Sequence, residues 1–223
     1  MHGEASCPRC GGPVQPPGLW SNDWSCPMHG AVLPLQPVSQ PRIETVLRAA
    51  ASARVPAWLP WPLPHGWVVS GLAQAGDDRT GSRATALACT GPAPLGGPGD
   101  LVIVAEEPGV GLGARYAGLP GPDPGSAPDR TPPHATVRVS GHDMPLWLVR
   151  DVPDDRCAYV GEALGYWLWL VLWPAPAGVL LMEDIALIDL GNPGLLLDFP
   201  VGVLSERLLE TPTPRGRGDA PGH

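Results

Sequence analysis

Two short Cys-Pro motifs near the N-terminus contain the residue types that bind soft metal ions. The first reads CPRC at residues 7–10, and the second reads CPMH at residues 26–29, with residues 11–25 between them. Each motif leaves two residues between its ligands, which is the spacing of a metal-binding knuckle. A glycine follows each motif, at Gly11 and Gly30, where the chain must turn beneath a metal without a side-chain clash. The spacing predicts a four-ligand metal site made of Cys7, Cys10, Cys26 and His29.

Zinc is the metal that this ligand set favours. Structural zinc takes four nitrogen or sulfur ligands in a tetrahedron, commonly two from each of two tight turns. A rubredoxin-like iron site uses four thiolates, and His29 departs from that pattern. Because four protein ligands fill the tetrahedron, no position remains for a reactive water, so we do not expect hydrolysis by the metal. We expect a structural Zn2+ that holds residues 1–36 in a zinc-ribbon fold.

A glycine-rich loop supplies a second set of candidate functional residues. Glu106 and Glu107 end an apolar stretch, LVIVAEE, that is typical of a strand, and the loop PGVGLGARYAG follows directly. Carboxylates at a strand end beside a flexible loop are common in active sites. The backbone amides of the glycines and the guanidinium of Arg115 could approach an anion there. The alternative interpretation is a tightly packed structural loop.

Asp77 and Asp78 belong to a second polar stretch, GDDRTGSR, which also contains two arginines. One interpretation of this stretch is an acid–base or anion site, and the other is a solvated turn between two strands. A cleft in which Asp77 meets Glu106 or Glu107, close to Arg115, would favour an enzyme.

The composition indicates a folded, β-rich protein with a small module attached. The 223 residues include 29 Gly and 31 Pro, but also 43% hydrophobic residues and 9 Trp, which is enough apolar surface for a core. The glycines and prolines therefore indicate sharp turns between many short strands. The formal charge is −8 and no basic run is present, so nucleic-acid binding is not expected. The sequence shows no secretory signal, and most of its thiols are predicted metal ligands. Both observations favour the cytoplasm.

Residues 164–182, LGYWLWLVLWPAPAGVLLM, form an uncharged stretch of about the length of a membrane-spanning helix. Pro174, Pro176 and Gly178 in its second half, and the lack of flanking arginines, disfavour such a helix. In its first half, Trp and Val at alternate positions are interleaved with Leu, which favours a strand buried on both faces. We therefore predict a hairpin in which PAPAG forms the turn and VLLMEDIALIDL returns as the partner strand.

The fold class that these patterns predict is α+β and β-rich. A zinc ribbon would pack on a single mixed or antiparallel sheet with few short helices, one over residues 40–54 and one over residues 201–210. The chain divides into four predicted segments, which are the zinc-ribbon module (1–36), a helix with a Pro/Trp-rich linker (37–66), the β-rich domain (67–210) and a disordered tail (211–223).

The motifs SCPRCGGPV, CPMHG, WPLPHGW and AEEPGVGLGARYAG are distributed along the chain. Together they resemble a family of unknown function from bacteria with GC-rich genomes, and the likeness extends to about residue 209. Some members of that family carry a phosphotransacetylase label, but this chain lacks the length and the two-lobed α/β pattern of such an enzyme. The resemblance implies a shared fold with a zinc ribbon at one end.

The leading functional interpretation is a cytoplasmic zinc-ribbon protein that binds another protein, or a small ligand at the glycine-rich loop. The ribbon carries few charges, which favours protein contact, and an exposed apolar patch built from Trp58, Trp61 and the ribbon would support it. The alternative is an enzyme that acts on a small anionic metabolite by acyl or phosphoryl transfer through Glu106, Glu107 and Arg115. No membrane partner is expected, and the sequence does not indicate an oligomeric state.

Overall fold

Short strands make up most of the fold, as the glycine and proline content indicates. The computed structural model describes residues 5–19, 21–38, 40–77, 79, 81–125, 131–192 and 197–209. Its strands are β1 (Ser25–Cys26), β2 (Gly30–Ala31), β3 (Leu35–Pro37), β4 (Trp58–Pro60), β5 (Val68–Asp77), β6 (Gly81–Pro92), β7 (Pro98–Glu106), β8 (Ala135–Val139), β9 (His142–Leu148), β10 (Cys157–Ala163), β11 (Tyr166–Trp173) and β12 (Ala186–Asp189). Its helices are α1 (Ile43–Ser52), α2 (Leu112–Ala117) and two 3-10 helices (Ala175–Met182 and Glu206–Leu208).

Ten of these strands form one mixed sheet. Their order across the sheet is β3-β5-β6-β7-β11-β10-β9-β8-β12-β4, and β1 and β2 form a separate two-stranded ribbon. The strands pair antiparallel except β8 and β12, which pair parallel. The predicted β-rich α+β fold with a single mixed sheet and few helices is therefore confirmed.

The central strands are buried on both faces of the sheet. On β11, Leu168, Leu170 and Leu172 belong to one apolar cluster, and Trp169 and Trp173 belong to the other. The alternation predicted from the sequence is therefore confirmed, because successive side chains of a strand point to opposite faces. Among the described residues, no helix is long and apolar enough to cross a membrane.

The predicted partner of the Trp-rich strand was wrong. Strand β11 pairs with β10, which precedes it, and with β7. The two strands of the β10–β11 hairpin are joined at Leu164 and Gly165, which have φ of +56° and +84°. Two positive φ values match the right-handed twist of a tight hairpin. The PAPAG segment begins the 3-10 helix Ala175–Met182 instead of forming a hairpin turn.

The helix predictions had mixed outcomes. Helix α1 lies within the predicted range 40–54 and buries Val46 and Ala50. The closing helix predicted over 201–210 is reduced to the 3-10 helix Glu206–Leu208, because the preceding residues continue the sheet. The amide of Val69 donates to the carbonyl of Pro200 at 2.9 Å, and the amide of Gly202 donates to the carbonyl of Val69 at 2.8 Å. The predicted tail, residues 211–223, lies outside the described residues.

Candidate metal centre and the glycine-rich loop

The two knuckles fold as tight turns that hold their ligands together. In the first, the amide of Gly11 donates to the carbonyl of Cys7 at 2.8 Å, and the φ of Gly11 is +70°, which favours glycine. In the second, Cys26 ends β1 and His29 lies in the turn before β2, where the φ of Gly30 is +67°. Antiparallel pairing of β1 with β2 therefore places Cys26 and His29 on one turn.

The four predicted ligands converge on one point. Their ligand atoms all lie within 4.8 Å of one another. Nδ1 of His29 is 3.6 Å from Sγ of Cys7 and 3.6 Å from Sγ of Cys26, and Sγ of Cys10 is 3.7 Å from Sγ of Cys26. A tetrahedral zinc ion with bonds of about 2.0–2.3 Å separates its ligand atoms by about 3.5–3.8 Å. The four residues are close enough to hold a metal ion, and the three separations above fall in that range.

The ligand thiols differ in pKa. Burial raises the pKa of Cys7 to about 12. Burial also acts on Cys26, but hydrogen bonds from the amides of Met28 and His29 and from the His29 ring outweigh it and lower the pKa of Cys26 to about 6. Thiolates, not thiols, bind metal. The lowered pKa favours the thiolate form of Cys26, and a bound cation would favour deprotonation of the buried Cys7.

Arg9 connects the first knuckle to the glycine-rich loop. It lies between the ligands Cys7 and Cys10, and its guanidinium donates to the carbonyl of Gly109 at 2.7 Å and to that of Val110 at 3.3 Å. The amide of Gly109 donates in turn to a carboxylate oxygen of Asp123 at 3.0 Å. Because predicted metal ligands lie on both sides of Arg9, a metal that ordered the knuckle would also order this contact.

Two further contacts hold the ribbon against the sheet. Ser6 and Leu35 exchange backbone hydrogen bonds of 3.0 and 2.7 Å, which join the start of the ribbon to β3. On the other side, the guanidinium of Arg79 donates to the carbonyl of Asn22 at 2.6 Å and lies 3.3 Å from the carboxylate of Asp23. The ribbon and the sheet are therefore joined by polar contacts at separated points.

Glu106 lies beneath the same loop and is fully buried. Its carboxylate accepts hydrogen bonds from the amides of Leu112 at 2.7 Å and Gly113 at 3.1 Å, at the start of α2. A side chain on Gly113 would collide with the ring of Trp169, which explains the glycine. Burial raises the pKa of Glu106 to about 7, although the amide hydrogen bonds act in the opposite direction. The buried carboxylate thus holds the loop and caps the short helix.

The other predicted site residues have separate surroundings. Glu107 forms a two-contact ion pair with Arg83. Arg115 is 3% exposed, and its guanidinium carbon lies 5.2 Å from the centre of the Tyr116 ring. Asp77 ends β5 at the turn into β6, and Asp78 lies outside the described residues. A small molecule could reach Glu106 or Arg115 only after the loop opens, because both are buried.

Sequence reasoning missed the role of Arg9, which it treated only as one of the few charges of the ribbon. The available signal was its position between two ligands of one knuckle. A knuckle fixes the backbone on both sides of such a residue, so a long cationic side chain there is well placed to contact a neighbouring segment. Which segment it contacts depends on the fold and could not be read from the motif.

A family model described as "Family of unknown function (DUF6758)" matches residues 1–208, and the chain belongs to that family. No curated protein matches the chain, and no solved structure matches it.

Proposed function

We propose that this member of the family of unknown function is a zinc-ribbon protein whose zinc is structural and whose ribbon contacts another protein. The observation that carries the metal assignment is the convergence of three thiols and one imidazole within 4.8 Å. This donor set is soft, and its three separations of 3.6–3.7 Å fit tetrahedral zinc. A metal-binding ribbon with free thiols also fits the reducing cytoplasm predicted from the sequence.

Zinc at this site would stabilise the ribbon and would not carry out chemistry. Four protein ligands complete the tetrahedron, whereas catalytic zinc sites keep a position for water or substrate. The ribbon itself has little core, since its strands β1 and β2 contain two residues each. Metal binding would therefore supply folding free energy that its own packing cannot.

The outer surface of the ribbon supports contact with a protein. Leu19 is 98% exposed and Met28 is 79% exposed, and Met28 lies inside the second knuckle. Among the ribbon residues that the structure describes, the charged Arg9 and Asp23 are both engaged with the rest of the chain. Uncharged, apolar groups therefore remain for a partner, and methionine adapts well to such a surface.

The tryptophan patch expected from the sequence does not form as predicted. Trp58 is 1% exposed and belongs to the core, so it cannot contribute to an exposed patch with the half-buried Trp61. The ribbon alone carries the proposed contact. The alternative of an enzyme acting on a small anionic metabolite through the Glu106–Arg115 loop stays a prediction, and it requires that loop to open.

Zinc content tests the metal assignment. We expect the purified protein to carry about one zinc ion per chain by elemental analysis. Cys26→Ser should reduce the bound zinc strongly, since it removes one of four ligands. Cys157→Ser is the matched control, because Cys157 is a half-buried thiol outside the ribbon and should leave the zinc content unchanged. Full zinc content in Cys26→Ser would contradict the assigned ligand set.

Affinity capture from native lysate tests the proposed contact. We expect Met28→Asp to lose a partner that the wild-type chain retains, while the zinc content stays unchanged. Leu95→Asp is the matched control, because Leu95 is also exposed, at 69%, and lies in the turn between β6 and β7. If Met28→Asp captures the same proteins as the wild type, the ribbon is not the contact surface.

A further inference from the structure

A polar row crosses three neighbouring strands at the end of the sheet that lies far from Glu106. Thr90 on β6 pairs with Val68 on β5 and with Asp100 on β7, and Asp100 pairs with Trp173 on β11. Ser70 follows on β5 at a β-bulge, which lies between Val69 and Gly71. Bulges redirect a side chain, and here the bulge brings a hydroxyl toward Thr90.

The hydroxyl groups of this row form a chain of hydrogen bonds that ends at one carboxylate. Oγ1 of Thr90 lies 2.9 Å from Oγ of Ser70 and 2.9 Å from Oδ1 of Asp100. A carboxylate only accepts, so the Thr90 proton points to Asp100 and Ser70 donates to Thr90. Ser70 is 2% exposed and Thr90 is half-buried, so the row begins inside the structure and not on a mobile surface.

The last described segment of the chain closes over this row. The amide of Ser205 donates to the carbonyl of Ser70 at 2.7 Å, which anchors the segment to β5. Arg207 then reaches Asp100, with Nε 3.3 Å from Oδ2. The Arg207 guanidinium lies 5.1 Å from the centre of the Trp173 ring, which holds its plane. Thr90 and Arg207 each occupy one acceptor site, on different oxygens of Asp100, and a carboxylate offers about four such sites, so Asp100 keeps accepting capacity.

A cavity of about 490 Å³ lies between the row and the closing segment. Its volume falls in the range of small-molecule sites. Its charged lining is Asp100, Glu206 and Arg207, which leaves an excess of negative charge. The hydroxyl and carboxylate oxygens are mostly acceptors, and Val68 and Leu204 add apolar wall.

We propose that this cavity binds a small primary amine with a short aliphatic body. The ammonium group would donate to Asp100 and to the hydroxyl oxygens, and the aliphatic body would lie against Val68 and Leu204. This site is independent of the ribbon contact proposed above. It also differs from the glycine-rich loop, since Asp100 and Glu106 lie on the same strand, about 20 Å apart.

Titration of the full chain with n-butylamine tests the proposal, with the backbone amide NMR spectrum as the readout. We expect saturable shifts confined to the amides near Ser70, Thr90 and Asp100, in about 0.15 M salt to screen non-specific attraction. The neutral n-butanol and the anion butyrate should bind at least about tenfold more weakly. Equal binding of butanol or butyrate, or shifts that do not saturate, would overturn the proposal.

Substitutions separate the site from the general negative charge of the protein. Asp100→Asn keeps an acceptor for Thr90 and should weaken n-butylamine binding about tenfold. Asp143→Asn removes the same charge from an exposed position and should bind as the wild type does. If Asp100→Asn does not fold, Glu206→Gln at the rim replaces it, with a weakening of about threefold expected. Wild-type affinity in the folded variant tested would overturn the proposal.

Discussion

Strand β7 has a carboxylate near each of its two ends, and the surroundings of these two carboxylates are opposite. Glu106, at one end, is fully buried, and backbone amides of α2 occupy its oxygens. Asp100, near the other end, has a side chain that is 26% exposed and lines a cavity. Asp100 directly precedes the apolar stretch LVIVA and Glu106 directly follows it, but only Asp100 can meet a ligand without rearrangement. Burial and occupied hydrogen-bond acceptors, and not position on a strand, therefore separate a structural carboxylate from one that is accessible to a ligand.

The two ends also differ in their dependence on the ribbon. At the Glu106 end, Arg9 of the first knuckle binds the carbonyls of Gly109 and Val110. At the Asp100 end, the described contacts come from the sheet and from the closing segment. The metal should therefore stabilise one end of β7 and leave the other unchanged.

Removal of the metal should have the largest effect. We expect chelation of zinc, or Cys26→Ser, to unfold the ribbon, because structural zinc supplies about 10 kcal/mol or more to such modules. The amides of Leu112 and Gly113, at the start of α2, should then exchange hydrogen at least about tenfold faster. The amides of Thr90 and Asp100 should keep their protection. Hydrogen exchange of the zinc-loaded and zinc-free protein measures both ends at once.

Equal loss of protection at both ends would contradict this comparison, since it would show that the whole sheet depends on the metal. Cys157→Ser provides the control for loss of a thiol. It should leave exchange at the start of α2 unchanged, because Cys157 lies on β10 and is not a ligand.

A pH dependence of stability should distinguish the buried carboxylate. The pKa of Glu106 is raised from 4.5 to about 7 in the folded protein, so the folded state retains a proton that the unfolded state has lost. Stability is therefore lost as the pH rises from about 4.5 to about 7, by about 3 kcal/mol, and changes little further above that range. Glu106→Gln cannot ionise and lacks this loss.

Urea unfolding of the zinc-loaded protein at pH 5 and pH 8 measures this effect. From pH 5 to pH 8, the free energy of unfolding of Glu106→Gln should rise by about 3 kcal/mol relative to that of the wild type. The comparison with the wild type cancels the pH dependence of the metal ligands, which both proteins share. Glu107→Gln, which only removes the ion pair with Arg83, is the control and should follow the wild type. If the free energy of unfolding changes equally with pH in the wild type and in Glu106→Gln, then burial does not keep Glu106 protonated.

The sequence predicted those features that depend on local spacing. The two knuckles and the alternation of Leu168 and Trp169 are each contained in a few consecutive residues, so the four converging Cys and His residues and the doubly buried strand could be identified directly. The hairpin partner of that strand could not. Its turn uses Leu164 at a φ of +56°, a conformation that leucine rarely adopts, so no turn motif marked it.

The polar row of the proposed amine site depends on long-range strand register. Ser70, Thr90 and Asp100 lie on three strands, and they form one row only because of the pairing of β5, β6 and β7. Likewise, Arg9 contacts Gly109 across a hundred residues of sequence. Such contacts are decided by the packing of the whole sheet, and no spacing in a single sequence encodes them.

The smallest predicted effect concerns Arg9 alone. Arg9→Met keeps an apolar stem of similar length but removes the hydrogen bonds to Gly109 and Val110, while all four metal ligands remain. We expect zinc content to be unchanged and local protection of the Leu112 and Gly113 amides to fall by about 1–2 kcal/mol, measured by hydrogen exchange.

Arg48→Met is the matched control, because Arg48 is an exposed arginine on α1, away from the glycine-rich loop in sequence. It should leave that protection unchanged. If Arg9→Met also leaves it unchanged, then Glu106 holds the loop without help from the ribbon. In that case Arg9 would not connect the metal to the loop. Any faster exchange at this end of β7 after zinc removal would then arise from another contact. The Ser6–Leu35 pairing at β3 would be the next contact to test.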